Sequence, residues 1–268
     1  MSSVYTLTRG SVPLLISLPH VGFEIPSELC PHYVDKARTS ADTDWHLERL
    51  YRPIAERLGA SLLVPRYSRY VIDLNRPDND APMYPGASNT ELCPTRDFEG
   101  QPLYHAGREP DGAERQRRLQ LYWRPYHQAL AGELARLKAE HGVALLWDGH
   151  SIESELPWLF EGRLPDLNLG SASGAACAAP ILAQVAEVLA AQTRYSQVVD
   201  GRFKGGHITR HYGRPEHGVH ALQMEMVQAI YMLEDKREPA PRPYLVERAS
   251  ELEPVLERLL TAYLAAVR

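Results

Sequence analysis

The stretch Val143-Ala144-Leu145-Leu146-Trp147-Asp148-Gly149-His150-Ser151 opens with an unbroken apolar run and closes with four small or polar residues. A run this short, directly after a helical pattern ended by Gly142, reads as a strand over Val143–Trp147 that is buried on both faces. Such a strand needs helices on both sides of its sheet. The flanking sequence supplies them. Gly112 to His141 has a long helical pattern, kinked or split at Pro125. Ala175–Gln192 reads as a helix, and a last one starts near Val246 with the core-facing stripe Leu252, Val255, Leu256, Leu259, Leu260, Tyr263 and Leu264.

Upstream, Leu14–Leu18 reads as a strand stopped by Pro19. Asp42 or Thr43 then caps a helix that runs to Leu58 and is closed by Gly59. Ser61–Val64, Tyr70–Leu74, Gln197–Val199 and Val219–Met226 read as further strands. Asn75 to Pro110 is a long ordered loop, and Ile152 to Gly174 is a second loop. The alternation predicts one α/β domain over residues 1–268 with a mixed, mostly parallel sheet. Ligands of such sheets collect at the carboxyl ends of the strands.

The bulk properties fit an ordinary globular chain. In its 268 residues 44% are apolar and 24% charged, which excludes a disordered or fibrous protein. A net charge of −5 leaves no basic excess for a nucleic-acid backbone. No apolar run approaches the roughly 20 residues that span a bilayer. Met1–Gly10 lacks a basic segment followed by an apolar core, so no signal peptide is read. The three cysteines, Cys30, Cys93 and Cys177, are odd in number and far apart. They form neither a disulfide framework nor a metal knuckle, and a reducing cytoplasm fits them.

The polar residues at the strand ends carry the chemistry. His20 follows the first strand and His150 follows the Val143–Trp147 strand, each beside a glycine. A histidine there is either a hydrogen-bonded loop residue or a metal ligand. Catalytic zinc typically takes three protein ligands and leaves a position for water. The third would come from Asp44 or His46, since Asp42 fits a capping role, with Glu24 as a rival. Arg76, after Asn75, offers a planar fork suited to a carboxylate, or an ion pair with Asp73 or Asp78. Gly205 to Gly213 concentrates His207, Arg210 and His211 in a glycine-flanked loop. Glu225 sits in the apolar run Val219–Val227, where a carboxylate either pairs with an arginine or serves as a base with a raised pKa. HExxH, Walker and strand-following GxGxxG motifs are absent. Gly149-His150-Ser151-Ile152-Glu153 misses the GxSxG elbow at its last position.

In order, the chain carries Pro19-His20-Val21-Gly22, Asp42-Thr43-Asp44-Trp45-His46, Ser68 to Pro77 (SRYVIDLNRP), Asp148-Gly149-His150-Ser151, Leu164 to Gly170 (LPDLNLG), Gly206 to Gly213 (GHITRHYG) and Gln223-Met224-Glu225. As a set, from about Pro13 to Tyr231, these segments resemble the N-formylglutamate amidohydrolase (N-formylglutamate deformylase) family. That family is distantly similar to zinc carboxypeptidases and aspartoacylases. The resemblance implies a three-layer α/β/α sandwich and a metallohydrolase domain with Zn²⁺ or another divalent metal at the strand ends. It implies His20 and His150 as ligands. Carboxypeptidases place a glutamate three residues after the first histidine. Here Phe23 holds that position and Glu24 lies one residue later, so Asp44 is taken as the acidic ligand.

The activity implied is cleavage of N-formyl-L-glutamate to formate and L-glutamate, a step in histidine degradation. In that reading Glu225 is the general base and acid, and Arg69 or Arg210 stabilises the oxyanion. Asn75 with Arg76 holds one carboxylate of a small dicarboxylate N-acyl amino acid, and Arg210 holds the other. Two alternatives stand beside it: a related hydrolase of another N-acyl amino acid or short peptide, and a non-catalytic small-molecule binding protein on the same fold.

Overall fold

A computed structural model of the chain describes residues 3–81, 90–235 and 237–267. Its seven-stranded sheet has the order β1-β3-β2-β4-β7-β5-β6. The strands are β1 (Tyr5–Thr8), β2 (Leu14–Ser17), β3 (Ser61–Pro65), β4 (Ala144–Ile152), β5 (Leu167–Gly170), β6 (Gln197–Val199) and β7 (Val219–Val227). Four neighbouring pairs are parallel. β1 and β5 run antiparallel to β3 and β7.

The helices are α1 (Leu47–Leu58), α2 (Gly112–Arg118), α3 (Arg124–His141), α4 (Ala179–Ala191), α5 (His207–Tyr212) and α6 (Val246–Ala265). They cover both faces of the sheet. Leu145, Trp147, Leu222 and Met224 pack with α1, α4 and α6 on one side. Ala144, Leu146 and Ala221 pack with α3 on the other. Every residue of β4 is buried, as its apolar run requires. Among the described residues no helix is long and apolar enough to cross a membrane.

The differences from the sequence reading have local causes. Pro125 lies in the first turn of α3, where its missing N–H costs nothing, and the π-helical stretch Leu119–Trp123 joins α2 to α3. α1 starts at Leu47 because His46 is left-handed (φ 66°). Asp42 does not cap it; its carboxylate accepts the N–H of Phe98 instead. Tyr70–Leu74 is no strand. This buried run is tied down by side chains: Arg118 donates to Val71 O and the Tyr33 hydroxyl to Tyr70 O. β4 continues to Ile152, so His150 lies within the strand. The 152–174 loop contains β5, and the 205–213 loop contains α5. Within the 75–110 loop, residues 82–89 lie outside the described residues.

Candidate active site

Four segments bring the site together: the carboxyl ends of β2, β4 and β7, and the loop before α1. His20 follows β2, His150 is on β4, and Glu225 stands opposite His150 in the β4–β7 register. Asp44 arrives on the loop before α1. Its N–H donates to His20 O (2.9 Å), and its Oδ2 accepts the Ser151 N–H (3.2 Å). One ligand atom each from His20, Asp44 and His150 lie within 4.8 Å of one another, and all three residues are buried. The rivals lie elsewhere: Glu24 pairs with Arg66, and His46 Nε2 bonds to Arg242 O.

The far nitrogens of both histidines meet buried carboxylates. His20 Nε2 is 2.7 Å from Asp73 Oδ1, and Arg69 Nη2 donates to Asp73 Oδ2 at 2.7 Å. His150 Nε2 is 3.1 Å from Asp148 Oδ1 and 3.0 Å from Asn75 Nδ2. Asn75 Oδ1 accepts the Ile208 N–H (2.8 Å), which turns its Nδ2 toward Asp148 Oδ2 (3.5 Å). Thr209 Oγ1 also donates to Asp148 Oδ2 (3.2 Å). Asp148 Oδ1, 3.1 Å from His150 Nε2, is buried without a hydrogen-bond partner. Each histidine turns its Nδ1 toward Asp44, with Nδ1 to Oδ2 distances of 3.9 and 3.4 Å.

This donor set fits a divalent cation. Asp44 Oδ1 is buried without a partner, and two histidine nitrogens oriented by carboxylates converge beside it. Asp44, Asp73, Asp148 and Glu225 face one buried guanidinium, Arg69. The excess of negative charge shifts the proton affinities of these groups. Burial drives His150 down, yet Asp148, Asp44 and Glu225 outweigh it and hold the imidazole well above its usual range. Burial and Arg69 hold His20 below its usual value. Burial opposes ionisation of Asp73, but His20, Arg69 and Arg76 keep it well below the carboxylate range. Burial, with Asp44 and Asp148 adding to it, pushes Glu225 up to about 8 against His150 and Arg69.

A cavity of about 160 Å³ opens onto this cluster. Arg69 and Arg76 line it. Arg69 is locked on Asp73, with its Cζ 4.7 Å over the Phe98 ring. Arg76 donates to Thr90 O, Thr90 Oγ1 and Asn75 O, and among the described residues it makes no ion pair with Asp73, Asp78 or another acid. Arg210 does not line the cavity; it is exposed on α5 and its Nε donates to Gly205 O. Asn75 lines the cavity, but its amide is occupied by Ile208, Asp148 and His150. These bonds tie it to the second histidine and to Asp148. Its close neighbour must be a glycine, because a Cβ on Gly206 would fall 2.3 Å from Asn75 Nδ2.

Gln223 and Arg202 are among the lining residues that the sequence reading does not single out. Gln223 accepts the Gly206 N–H (2.7 Å) and faces Glu225 Oε2 with its Nε2 (3.4 Å). Arg202 stands beside Phe160 and Phe203. The available signal for both is position: Gln223 is two residues from Glu225, and Gly201-Arg202-Phe203 is separated from the glycine pair 205–206 by Lys204 alone.

A buried carboxyl facing a His–Asp–His cluster at the mouths of parallel strands marks a hydrolytic enzyme. Comparison with known sequences narrows the class. The chain belongs to the N-formylglutamate amidohydrolase family, whose sequence model matches residues 12–232, and it is an enzyme that hydrolyses an amide bond. It is 51% identical over 265 residues to an N-formylglutamate deformylase of Pseudomonas aeruginosa, covering 99% of this chain and 97% of that one. It is 48% identical to an N-formylglutamate deformylase of Pseudomonas putida, with the same coverage. A crystal structure of N-formylglutamate amidohydrolase from Ralstonia eutropha JMP134 matches at TM-score 0.81 and 26% identity over 98% of both chains. A gene product of Agrobacterium tumefaciens, 17% identical, shares the fold at TM-score 0.74 over 99% of this chain and 96% of that one.

Proposed function

We propose that this enzyme hydrolyses N-formyl-L-glutamate to formate and L-glutamate, with a divalent cation held by His20, Asp44 and His150. The observation that carries the reading is the meeting of Glu225 with that His–Asp–His cluster inside one arginine-bearing cavity. The substrate is the one named for the relatives. Zinc suits two imidazoles and a carboxylate, and other divalent metals accept the same donors. Such a cation supplies Lewis-acid polarisation and a more acidic water.

The remaining work falls to the chain's own residues. Glu225 in its ionised form takes a proton from the attacking water and passes it to the leaving amine nitrogen, which is otherwise too basic to depart. Arg69, fixed by Asp73, places a guanidinium where negative charge develops on the formyl oxygen. Arg76 has N–H groups to spare after its bonds to Thr90 and Asn75, and holds one substrate carboxylate. Asp73 and Asp148 fix the two imidazoles, and Asn75 and Thr209 fix Asp148. The formyl group is tiny, so selection falls on the glutamate part.

Residues 1–268 act as a single metallohydrolase domain in this proposal: α6, beyond the family match, packs on α1 and α4. Kinship with zinc carboxypeptidases is part of the proposal, supported by two histidines and an acid at the strand ends. So are a place in histidine degradation and a cytoplasmic setting, the latter supported by three free thiols. One observation favours a second reading, a bulkier N-acyl amino acid: Phe98, Ile152, Leu159, Phe160 and Phe203 give the cavity an apolar wall. A panel of N-formyl, N-acetyl and N-succinyl amino acids separates the two. Preference for the N-formyl member of the glutamate series supports the proposal, and preference for a larger acyl group replaces it.

A further inference from the structure

The cavity carries more positive charge than the chemistry uses. Of its three arginines, Arg69 is neutralised by Asp73. Among the described residues neither Arg76 nor Arg202 has a carboxylate partner, although the cavity they line also holds Asp44 and Glu225. Arg202 is exposed as well as cavity-lining, which puts it at the rim. It is nevertheless held in place. Its Nη2 donates to Leu159 O, and its Cζ lies 5.2 Å from the Phe160 ring and 5.8 Å from the Phe203 ring. The two rings meet edge to face with centroids 6.4 Å apart. Aromatic faces beside a guanidinium stabilise the cation and restrict its rotamers. They also offer an apolar surface for methylene groups just inside the rim. A fixed, uncompensated fork next to such a wall is built to receive a carboxylate at the end of a short aliphatic arm.

We infer that Arg202, supported by Phe160 and Phe203, binds the side-chain carboxylate of the substrate and selects acidic over neutral N-formyl amino acids. The inference rests on the function proposed above. Arg76 is left with the α-carboxylate, which all N-formyl amino acids share. Glu225 and Asp44 at the inner end repel a second carboxylate, so the charges orient the substrate with its formyl group inward.

The test is steady-state formate release by the metal-loaded wild type, Arg202→Gln and Arg202→Lys, on N-formyl-L-glutamate and N-formyl-L-glutamine. Arg202→Gln is expected to lose about 10²-fold in kcat/KM on N-formyl-L-glutamate, mainly through KM, while turnover of N-formyl-L-glutamine stays near wild type. Arg202→Lys, which keeps the charge without the fork, should recover part of the loss. Equal losses on both substrates, or a variant that still prefers glutamate as strongly as wild type, overturn the role of Arg202 alone. A wild type that releases no formate from N-formyl-L-glutamate overturns the function and the inference together. That failure is recognised by appearing before any substitution is made.

Discussion

His150 and Glu225 are register partners across the parallel β4–β7 ladder. Paired residues on neighbouring parallel strands sit about 4.8 Å apart and project to the same face. One ladder step therefore sets the distance between a candidate ligand and the candidate base, and it does so on two central strands, β4 buried throughout and β7 from His220 onward. Neither residue depends on a loop for its position. The precision needed for proton transfer is inherited from the sheet.

Glu225→Gln removes the proton carrier and keeps the shape. Turnover should fall roughly 10²–10⁴-fold, with cation and substrate affinity retained. Single-turnover kinetics together with metal content checks this. A variant with near-wild-type kcat takes Glu225 out of the chemistry.

Asp73→Asn weakens the acceptor of the His20 Nε2 proton and releases Arg69. Cation affinity should drop about 10–100-fold, the usual effect of losing a carboxylate behind a ligating histidine. Competition against a chromophoric chelator measures it. Unchanged affinity would mean that His20 is oriented by the backbone alone.

The raised pKa of Glu225 has a stability consequence in cation-free protein. A carboxyl at about 8 when folded, against its usual 4.5, binds its proton more tightly in the folded state. Its stabilising contribution is complete below about pH 4.5 and is lost as pH rises through 8. Between those limits, chelated wild type should lose melting temperature relative to chelated Glu225→Gln. Parallel melting curves across the window would contradict the burial argument.

Gly206→Ala tests the packing behind the second histidine. The new methyl would overlap the Asn75 amide, which must move and give up its bonds to Ile208 and Asp148. We expect a loss of turnover of about tenfold or more, as misplaced catalytic groups give, with circular dichroism like that of wild type. Full activity in this variant would show that Asn75 is not needed to hold His150.

The parts of this architecture legible in the sequence are those with a one-dimensional signature. Val143–Trp147 and Val219–Met226 announce buried strands because the apolar run is unbroken, and a histidine or glutamate in or just after such a run stands out. The acid opposite the two histidines was narrowed to a few residues because Asp44 lies in a short polar store before α1. Tyr70–Leu74 misled because an apolar run reports burial and not backbone pairing. Its carbonyls are met by Arg118 and Tyr33, far away in sequence. β1 escaped because a four-residue edge strand with alternating burial carries little pattern. That Arg202 rather than Arg210 lines the cavity has the same origin. Which arginine of a short segment turns inward depends on the fold of α5 and on the Phe160–Phe203 pair, and neither is written locally. Asn75 shows the limit most clearly, since an amide's partners are settled entirely in three dimensions.

The most direct measurement is formate release from N-formyl-L-glutamate by purified enzyme, before chelation, after chelation and after zinc add-back, with N-acetyl-L-glutamate assayed beside it. The account predicts formate release that disappears on chelation, returns with zinc and is far faster than any release of acetate. Undiminished formate release from protein shown to be free of metal would contradict the role given to His20, Asp44 and His150.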